Sequence, residues 1–144
     1  EKEFSNYVYD YLNVNKKHKF KMLNSWSIKN LKGDFSHQHY HHNSFVSGII
    51  YLNCSSNTGN LNLHKPYGWN NINNIVSFDF NSVNLDTCKA YTIAPEIGDI
   101  FLFPSNLIHS VMPNLTEIER YCIAFNFFPI GQFGTDLDML CLKV

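Results

Sequence analysis

Residues 45–52 have the sequence Phe-Val-Ser-Gly-Ile-Ile-Tyr-Leu, a run rich in β-branched and aromatic side chains. Such side chains are enriched in β-strands because they pack well on a pleated surface. The run is followed at 53–59 by Asn-Cys-Ser-Ser-Asn-Thr-Gly, a composition typical of a turn. We therefore predict a strand that ends near Leu52 and a turn that follows it.

The same alternation of short strands and turns continues along the chain. Strands are predicted from Trp26 onward, and after the first turn they fall at 61–64, 91–94, 99–103, 108–111 and 120–128. We expect the strand at 99–103 to be buried. Residues 3–14 carry apolar side chains at helical spacing, which predicts a short helix, and the lysine-rich segment 16–21 is expected to be a solvated face. The predicted fold is all-β, an antiparallel jelly roll (double-stranded β-helix) with a short N-terminal helical segment.

Composition limits the classes of protein to consider. The 144 residues are 44% hydrophobic, enough for one packed core, so we expect a single domain over 1–144. The net charge is −1, which gives no overall electrostatic case for binding nucleic acid or an anionic membrane. No apolar run reaches the roughly 18 residues of a membrane helix, and the start does not resemble a signal peptide, although it is Glu1 rather than Met.

Two features of composition concern single residue types. The four cysteines are widely spaced, without a Cys-x-x-Cys motif, and we interpret them as reduced thiols of a cytoplasmic protein. The chain contains 19 Asn, ten Lys and one Arg, a bias that codon composition alone would explain. The single Arg is Arg120.

Four of the seven histidines lie within residues 37–42, whose sequence is His-Gln-His-Tyr-His-His. In a strand, residues two apart share a face, so His37, His39 and His41 can point the same way and His42 the opposite way. Two imidazoles on one face are suitable metal ligands, and a third ligand must come from elsewhere. His109, which follows a predicted strand and a turn, is expected at the edge of the core. Spacing allows either the pair His37 and His39 or the pair His39 and His41, and a solvated His-rich loop is the alternative.

An ordered set of motifs resembles a known family. The set is His39-x-His41, Ser47-Gly48-x-x-Tyr51-Leu52, Gly98-Asp99, Phe103-Pro104-Ser105, His109 and Glu119-Arg120. In this order the motifs resemble the small 2-oxoglutarate/Fe(II)-dependent dioxygenases of marine bacteria and their phages, of the prolyl-hydroxylase-like superfamily. The resemblance covers about residues 26–128, and the family fold is the jelly roll. A phage-encoded protein would act in the host cytoplasm.

The resemblance implies a ligand set for Fe(II). His39 and His41 take the places of the family's first two metal ligands and His109 that of the distal one. In the wider superfamily the second ligand is usually a carboxylate, so His41 removes one negative charge from the metal site. The sequence does not establish whether His41, His37 or a water molecule completes the site.

The resemblance also implies a binding site for the cosubstrate 2-oxoglutarate. Arg120 takes the place of the cation that binds its far carboxylate, a task suited to the planar guanidinium. Tyr51 is a second candidate for that carboxylate, with a packed core tyrosine as the alternative. Cys122 stands where many relatives have a serine.

The expected activity is Fe(II)- and dioxygen-dependent hydroxylation of an amino-acid side chain or small molecule, coupled to conversion of 2-oxoglutarate to succinate. The substrate would be a small molecule or peptide, and the Asn-rich loop Tyr67–Asn74 is a candidate lid. One alternative is a cupin-like metal enzyme without 2-oxoglutarate, in which Arg120→Ala would leave activity largely intact. Another is a non-catalytic jelly-roll binding module, which would bind no metal tightly. The oligomeric state is open.

Overall fold

A computed structural model describes residues 1–65, 81–82, 84, 88–134 and 138–142 of the chain. A short helix, α1 (Lys2–Ser5), continues as a π-helical segment at Asn6–Tyr11. The strands are β1 (Lys19–Asn30), β2 (Ser36–His39), β3 (Val46–Asn53), β4 (Leu61–His64), β5 (Ala90–Ile93), β6 (Ile100–Pro104), β7 (His109–Val111), β8 (Arg120–Phe133) and β9 (Leu140–Leu142). Among the described residues no helix is long and apolar enough to cross a membrane.

The strands form two antiparallel sheets with the crossed strand order of a jelly roll. One sheet has the order β1-β8-β3-β6, with β9 added to the end of β8, and the other has the order β2-β7-β4-β5. Neighbours in each sheet are distant in sequence, as when β1 pairs with β8 from Lys19↔Ile130 to Asn30↔Arg120. The predicted jelly roll with a short N-terminal helical segment is therefore confirmed.

Strand β8 is the central strand of the larger sheet, and both of its faces are buried. On its outer face, Phe125 and Phe127 pack against Phe4 and Val8 of the N-terminal helical segment. The Phe4 and Phe127 rings are stacked with centroids 3.8 Å apart. Burial of these apolar side chains attaches the helical segment to the sheet and leaves the opposite face of β8 for the interior of the jelly roll.

The inner face of β8 carries a row of buried residues at every second position. They are Arg120, Cys122, Ala124 and Asn126. The neighbouring strand β3 carries a matching row on the same face of the sheet, because Ser47 pairs with Asn126 and Tyr51 with Cys122. Because successive side chains of a strand point to opposite faces, this alternation places the polar residues of both strands inside the fold.

Two expectations about strands require correction. Strand β1 begins at Lys19, seven residues before Trp26, because its exposed lysines lie on a strand that pairs with the extended end of β8. The strand predicted as buried at 99–103 is β6. Among the described strands it pairs with β3 alone, at the edge of the sheet, and Phe103 is buried whereas Ile100 is exposed. The loop Tyr67–Asn74, expected to act as a lid, lies outside the described residues.

Candidate metal centre and cosubstrate site

Three histidines from two elements and a loop converge at one end of the interior. His39 is the last residue of β2, His109 is the first residue of β7, and these two residues are directly opposite in the antiparallel pair β2–β7. His41 follows β2, and its backbone N–H donates to the carbonyl of Ser105 at 2.8 Å. One ring nitrogen from each histidine lies within 4.8 Å of the other two, a separation compatible with a shared metal ion.

The Nδ1 atom of each ring already has a hydrogen-bond partner that accepts a proton. His39 Nδ1 donates to the carbonyl of His37 at 2.8 Å, and His109 Nδ1 donates to the carbonyl of Leu107 at 2.9 Å. His41 Nδ1 lies 2.8 Å from the Oδ1 atom of Asn126. A neutral imidazole protonated on Nδ1 has its lone pair on Nε2, so all three rings are in the tautomer that binds a metal through Nε2.

The electrostatics of the site favour a neutral, ligating His109. Burial is the largest cause and, together with the nearby His39 and His41 rings and against the hydrogen bond to Leu107, lowers the pKa of His109 to about 4. His109 is therefore unprotonated at neutral pH. Phe103 packs against the His109 ring with centroids 4.7 Å apart, which shields this side of the cluster from water.

The other clustered histidines lie outside this group. His37 is exposed and contacts Phe35, and His42 is exposed and contacts Tyr40. The single strand face predicted for 37, 39 and 41 is wrong as local structure. Strand β2 ends at His39 and its register with β7 shifts between Ser36 and His39, so the loop after β2 brings His41 to the site.

Arg120 is buried, and the turn after β3 holds its guanidinium. Its side chain is 2% exposed, and Nη1 donates to the carbonyls of Thr58 and Gly59 at 2.5 and 3.2 Å. Gly59 has φ +103, and a Cβ atom there would lie 2.5 Å from Nη1. Glycine at this position therefore permits both the backbone conformation and the close approach of the arginine.

Arg120 has no counter-ion in the part of the chain that the structure describes. The ion pairs found there join Lys16 to Asp10, Lys29 to Glu119 and Lys32 to Glu117, all at the surface. Burying an unpaired charge is costly, since it loses hydration without gaining an ionic partner. A buried guanidinium of this kind is suited to an anionic ligand.

Tyr51 provides an unpaired hydrogen-bond donor in the same region. Its side chain is fully buried, and its hydroxyl oxygen has no partner among the described residues. Burial raises the pKa of Tyr51 above its ordinary value, and the charge of Arg120 opposes this shift. The hydroxyl is therefore protonated and can donate to a carboxylate. In the register of β3 and β8, Tyr51 pairs with Cys122, two residues from Arg120 on the same face of β8. The orphaned hydroxyl and the unpaired Arg120 fit a dicarboxylate cosubstrate.

Cys122 lies between these two residues and the metal end of the row. Burial raises the pKa of its thiol to about 11, although Arg120 lowers it through its charge and a hydrogen bond. The thiol is thus neutral, and the positive charge of Arg120 is left available to a ligand.

Several neighbours of the site were not among the residues predicted from the sequence. Asn126 and Ser47 contact His41, and Trp26 packs against the His41 ring with centroids 5.8 Å apart. The alternation of β8 placed Asn126 on the inner face, which was a usable signal. Asn24 reaches Asn126 only because the β1–β8 register shifts between Met22 and Asn24, and nothing in the composition marks such a shift.

Comparison with known proteins connects these features to a family. A family model described as "Putative 2OG-Fe(II) oxygenase" matches residues 24–126, which is more than half of the chain. A search of curated protein sequences gave no match.

Solved structures of the same kind share the fold at low sequence identity. An oxidoreductase of the 2OG-Fe(II) oxygenase family from Burkholderia pseudomallei is 15% identical with a TM-score of 0.63, over 85% of this chain and 50% of that one. HygX from Streptomyces hygroscopicus, solved with nickel and 2-oxoglutarate bound, is 15% identical with a TM-score of 0.56, over 88% and 63%. A prolyl 4-hydroxylase from Phytophthora capsici is 17% identical with a TM-score of 0.54, over 88% and 39%.

The chain thus spans about half the length of the Burkholderia protein. The match of the family model runs from within β1 to the middle of β8 and includes all three converging histidines, Tyr51 and Arg120. The chain belongs to the family of 2OG-Fe(II) oxygenases.

Proposed function

We propose that this protein is an Fe(II)- and 2-oxoglutarate-dependent oxygenase that hydroxylates a small molecule or an amino-acid side chain. The proposal rests on two features of the interior: Arg120 is buried without a counter-ion, and the Tyr51 hydroxyl is buried without a hydrogen-bond partner, in both cases among the residues that the structure describes. Neither feature is explained by packing alone, and a carboxylate would satisfy both.

His39, His41 and His109 would hold the metal. All three offer Nε2 because their Nδ1 atoms are hydrogen-bonded, and three protein ligands leave coordination positions for other ligands. Imidazole suits Fe(II) but also Zn(II), Ni(II) and Cu(II). The family membership and the anion site favour Fe(II) over the others.

Arg120 and Tyr51 would bind the far carboxylate of 2-oxoglutarate. The carbonyls of Thr58 and Gly59 fix Nη1, so part of the guanidinium is held before the cosubstrate arrives. Tyr51 would add a second, neutral donor. HygX, whose structure contains 2-oxoglutarate with nickel, supports the assignment of this cosubstrate.

The protein's contribution to the reaction is orientation and exclusion of water. Fe(II), when bound, supplies the activation of dioxygen that couples oxidation of 2-oxoglutarate to succinate and CO₂ with hydroxylation of the substrate. Phe103 against His109 and Trp26 against His41 form apolar walls beside the metal ligands. Such walls keep water from the reacting groups.

The substrate would be a small molecule or short peptide that enters beside the exposed edges of His39 and Trp26. A net charge of −1 provides no long-range attraction for a polyanion such as nucleic acid. The prolyl 4-hydroxylase with the same fold supports an amino-acid side chain as one substrate class. The wide spacing of the cysteines, without a Cys-x-x-Cys motif, supports a cytoplasmic location, and we propose one catalytic domain over the chain.

Anaerobic titration with Fe(II) and 2-oxoglutarate tests the proposal. The chelate of the 2-oxo acid with Fe(II) gives a weak visible charge-transfer band, which we expect in the wild-type protein and not with Fe(II) alone. Arg120→Met should require a much higher 2-oxoglutarate concentration for the band. A folded protein that binds Fe(II) but never develops the band would contradict the proposal.

A neutral three-histidine set also favours a second candidate, a zinc enzyme that activates water without 2-oxoglutarate. In that enzyme Arg120 has no carboxylate to bind. The same titration discriminates the two, because the zinc enzyme would not develop the band with 2-oxoglutarate. In an activity assay, Arg120→Met would then leave metal-dependent activity unchanged.

A further inference from the structure

We infer that Asn126 is a positioning residue that sets the tautomer and orientation of His41, and so decides whether His41 can serve as a metal ligand. The inference rests on the proposed function for its metal, but its structural part concerns the metal-free protein. Asn126 is on the inner face of β8, is 7% exposed, and accepts from His41 Nδ1 at 2.8 Å through Oδ1.

The orientation of the Asn126 amide is fixed from both ends. Its Nδ2 group donates to the Oδ1 atom of Asn24 at 3.0 Å, so the nitrogen faces β1 and the oxygen faces the interior. Ser47 donates its hydroxyl proton to the same Oδ1 atom at 2.7 Å. Both contacts therefore direct an acceptor, not a donor, at the His41 ring.

The neighbouring hydroxyls leave no proton for His41 to accept. Ser44 donates to Ser105 at 2.5 Å, and Ser105 lies 2.8 Å from Ser47. Ser44 donates to Ser105, Ser105 donates to Ser47, and Ser47 donates to Asn126. Each hydroxyl has therefore used its single proton. Ser47 Oγ, 2.9 Å from His41 Nδ1, can then only accept.

Among the residues that the structure describes, His41 Nδ1 thus meets two acceptors and no donor. A proton on Nδ1 satisfies both, and the lone pair is then on Nε2, the atom left to bind metal. The opposite tautomer would place the Nδ1 lone pair against two oxygen atoms in a buried site where Ser47 is 0% and Ser105 is 1% exposed. The low dielectric of such a site increases the penalty for that mismatch.

The arrangement differs from that of the other two histidines. His39 and His109 donate to backbone carbonyls, which no substitution removes. In the described part of the chain, only His41 in this group relies on a side-chain acceptor, so this ligand alone can be tuned by mutation. An acceptor on Nδ1 also raises the basicity of Nε2, and loss of such a partner typically weakens metal binding 10–100-fold.

Two substitutions at Asn126 test the inference. Asn126→Leu has a similar shape and no acceptor, whereas Asn126→Asp keeps an oxygen that faces His41. Nitrogen-15 NMR of the metal-free protein reports the His41 tautomer, and Co(II) titration followed by visible absorption reports affinity and coordination. Asn62→Leu is the matched control, because Asn62 lies on β4 and accepts from Thr92, away from His41.

We expect wild type, Asn126→Asp and Asn62→Leu to hold His41 protonated on Nδ1. Asn126→Leu should give a mixture of tautomers and bind Co(II) about 10–100-fold more weakly. Asn126→Asp should bind Co(II) at least as tightly as wild type, because a negatively charged acceptor on Nδ1 makes the Nε2 atom of His41 a stronger metal ligand. The recovery of the tautomer and of Co(II) affinity in Asn126→Asp separates a positioning role from a structural role. If Asn126 had only a structural role, both variants would lose thermal stability and Asn126→Asp would not restore the tautomer.

The inference is wrong if Asn126→Leu keeps the wild-type tautomer and affinity, or if folded Asn126→Asp binds Co(II) more weakly than wild type. The second criterion applies even if the leucine variant fails to fold. If the His41 tautomer depends on Asn126 but the wild-type protein binds no Co(II), the proposed function is contradicted. The positioning role of Asn126 is then still supported.

Discussion

His39 and His109 face each other as paired residues of β2 and β7, with ring centroids 4.2 Å apart, although 70 positions separate them in sequence. Each ring donates Nδ1–H to the carbonyl of the residue two positions before it, so the two sites have the same local geometry. The sheet register, and not the spacing of the histidine cluster, therefore creates the first ligand pair.

Removal of either of these rings should abolish tight metal binding. We expect His39→Ala and His109→Ala to weaken Co(II) or Fe(II) binding by more than about 100-fold, since loss of a ligand exceeds the loss of a hydrogen-bond partner behind one. Isothermal titration under anaerobic conditions measures the affinity. His37→Ala is the matched control from the same cluster, and a comparable loss in that variant would show that the ligand set is wrong.

Tyr51→Phe should have opposite effects on stability and on cosubstrate binding. The free protein buries a hydroxyl without a partner among the described residues, so its removal should raise the free energy of unfolding by about 1 kcal/mol. Binding of 2-oxoglutarate would lose one hydrogen bond, an increase in Kd of roughly 5- to 10-fold. Urea unfolding and titration of the visible band measure the two quantities. Lower stability with unchanged 2-oxoglutarate affinity would indicate an ordinary core tyrosine.

Gly59→Ala should displace the guanidinium of Arg120 from the turn that holds it. The new Cβ atom would overlap the Met112 carbonyl oxygen and lie 2.5 Å from Nη1, so both the turn and the guanidinium must shift. We expect at least a roughly tenfold weaker affinity for 2-oxoglutarate, about the cost of one displaced hydrogen bond. Gly98→Ala is the matched control. Gly98 has φ +93, but a Cβ atom there has no neighbour within 4 Å, so this variant bears the same backbone strain, about 1–3 kcal/mol, and should retain its 2-oxoglutarate affinity. Equal affinities in the two variants would argue against Arg120 as the carboxylate ligand.

The metal-free protein should lose stability as the pH falls from neutral towards 4. Burial lowers the pKa of His109 from 6.5 to about 4, so between these values the unfolded chain binds a proton that the folded protein does not. The contribution of His109 to stability is therefore complete above pH 6.5 and is lost as the pH falls through this window. Burial lowers the pKa of His64 as well, which acts in the same direction. Urea unfolding of wild type and His109→Gln at several pH values should give a flatter profile for the variant.

Metal removal should reduce stability without unfolding the protein. The clusters around Phe127 and Tyr51 do not include the three histidines, so the fold has a core independent of the metal. A metal present at 100 times its Kd should raise the free energy of unfolding by about 2.7 kcal/mol, and a chelator should reverse this gain. Thermal unfolding of the same sample before and after chelation measures it. A thermal transition that does not respond to metal or chelator would favour the non-catalytic binding module.

The sequence predicted much of the strand pattern, and the residues of the inner row of β8 can be found from that pattern. Arg120, Cys122, Ala124 and Asn126 follow from strict alternation, because successive side chains of a strand point to opposite faces. It did not reveal that β1 begins at Lys19. The first residues of β1 include exposed lysines, which do not produce a strand pattern, and this part of the strand is specified by its pairing with β8. It also did not show that Asn126 and Asn114 are buried and hydrogen-bonded, so the Asn surplus, attributed to codon composition, includes residues with structural tasks.

By itself the sequence determined the residue types for the metal and carboxylate sites, since imidazoles two apart and a single arginine on a patterned strand can be read directly. Tertiary structure decided which of them meet. The pairing of β2 with β7 joined His39 to His109, the loop after β2 brought in His41, and the turn at Thr58–Gly59 fixed the guanidinium of Arg120. These contacts depend on pairing register and backbone hydrogen bonds between residues far apart in the chain, which local periodicity does not encode.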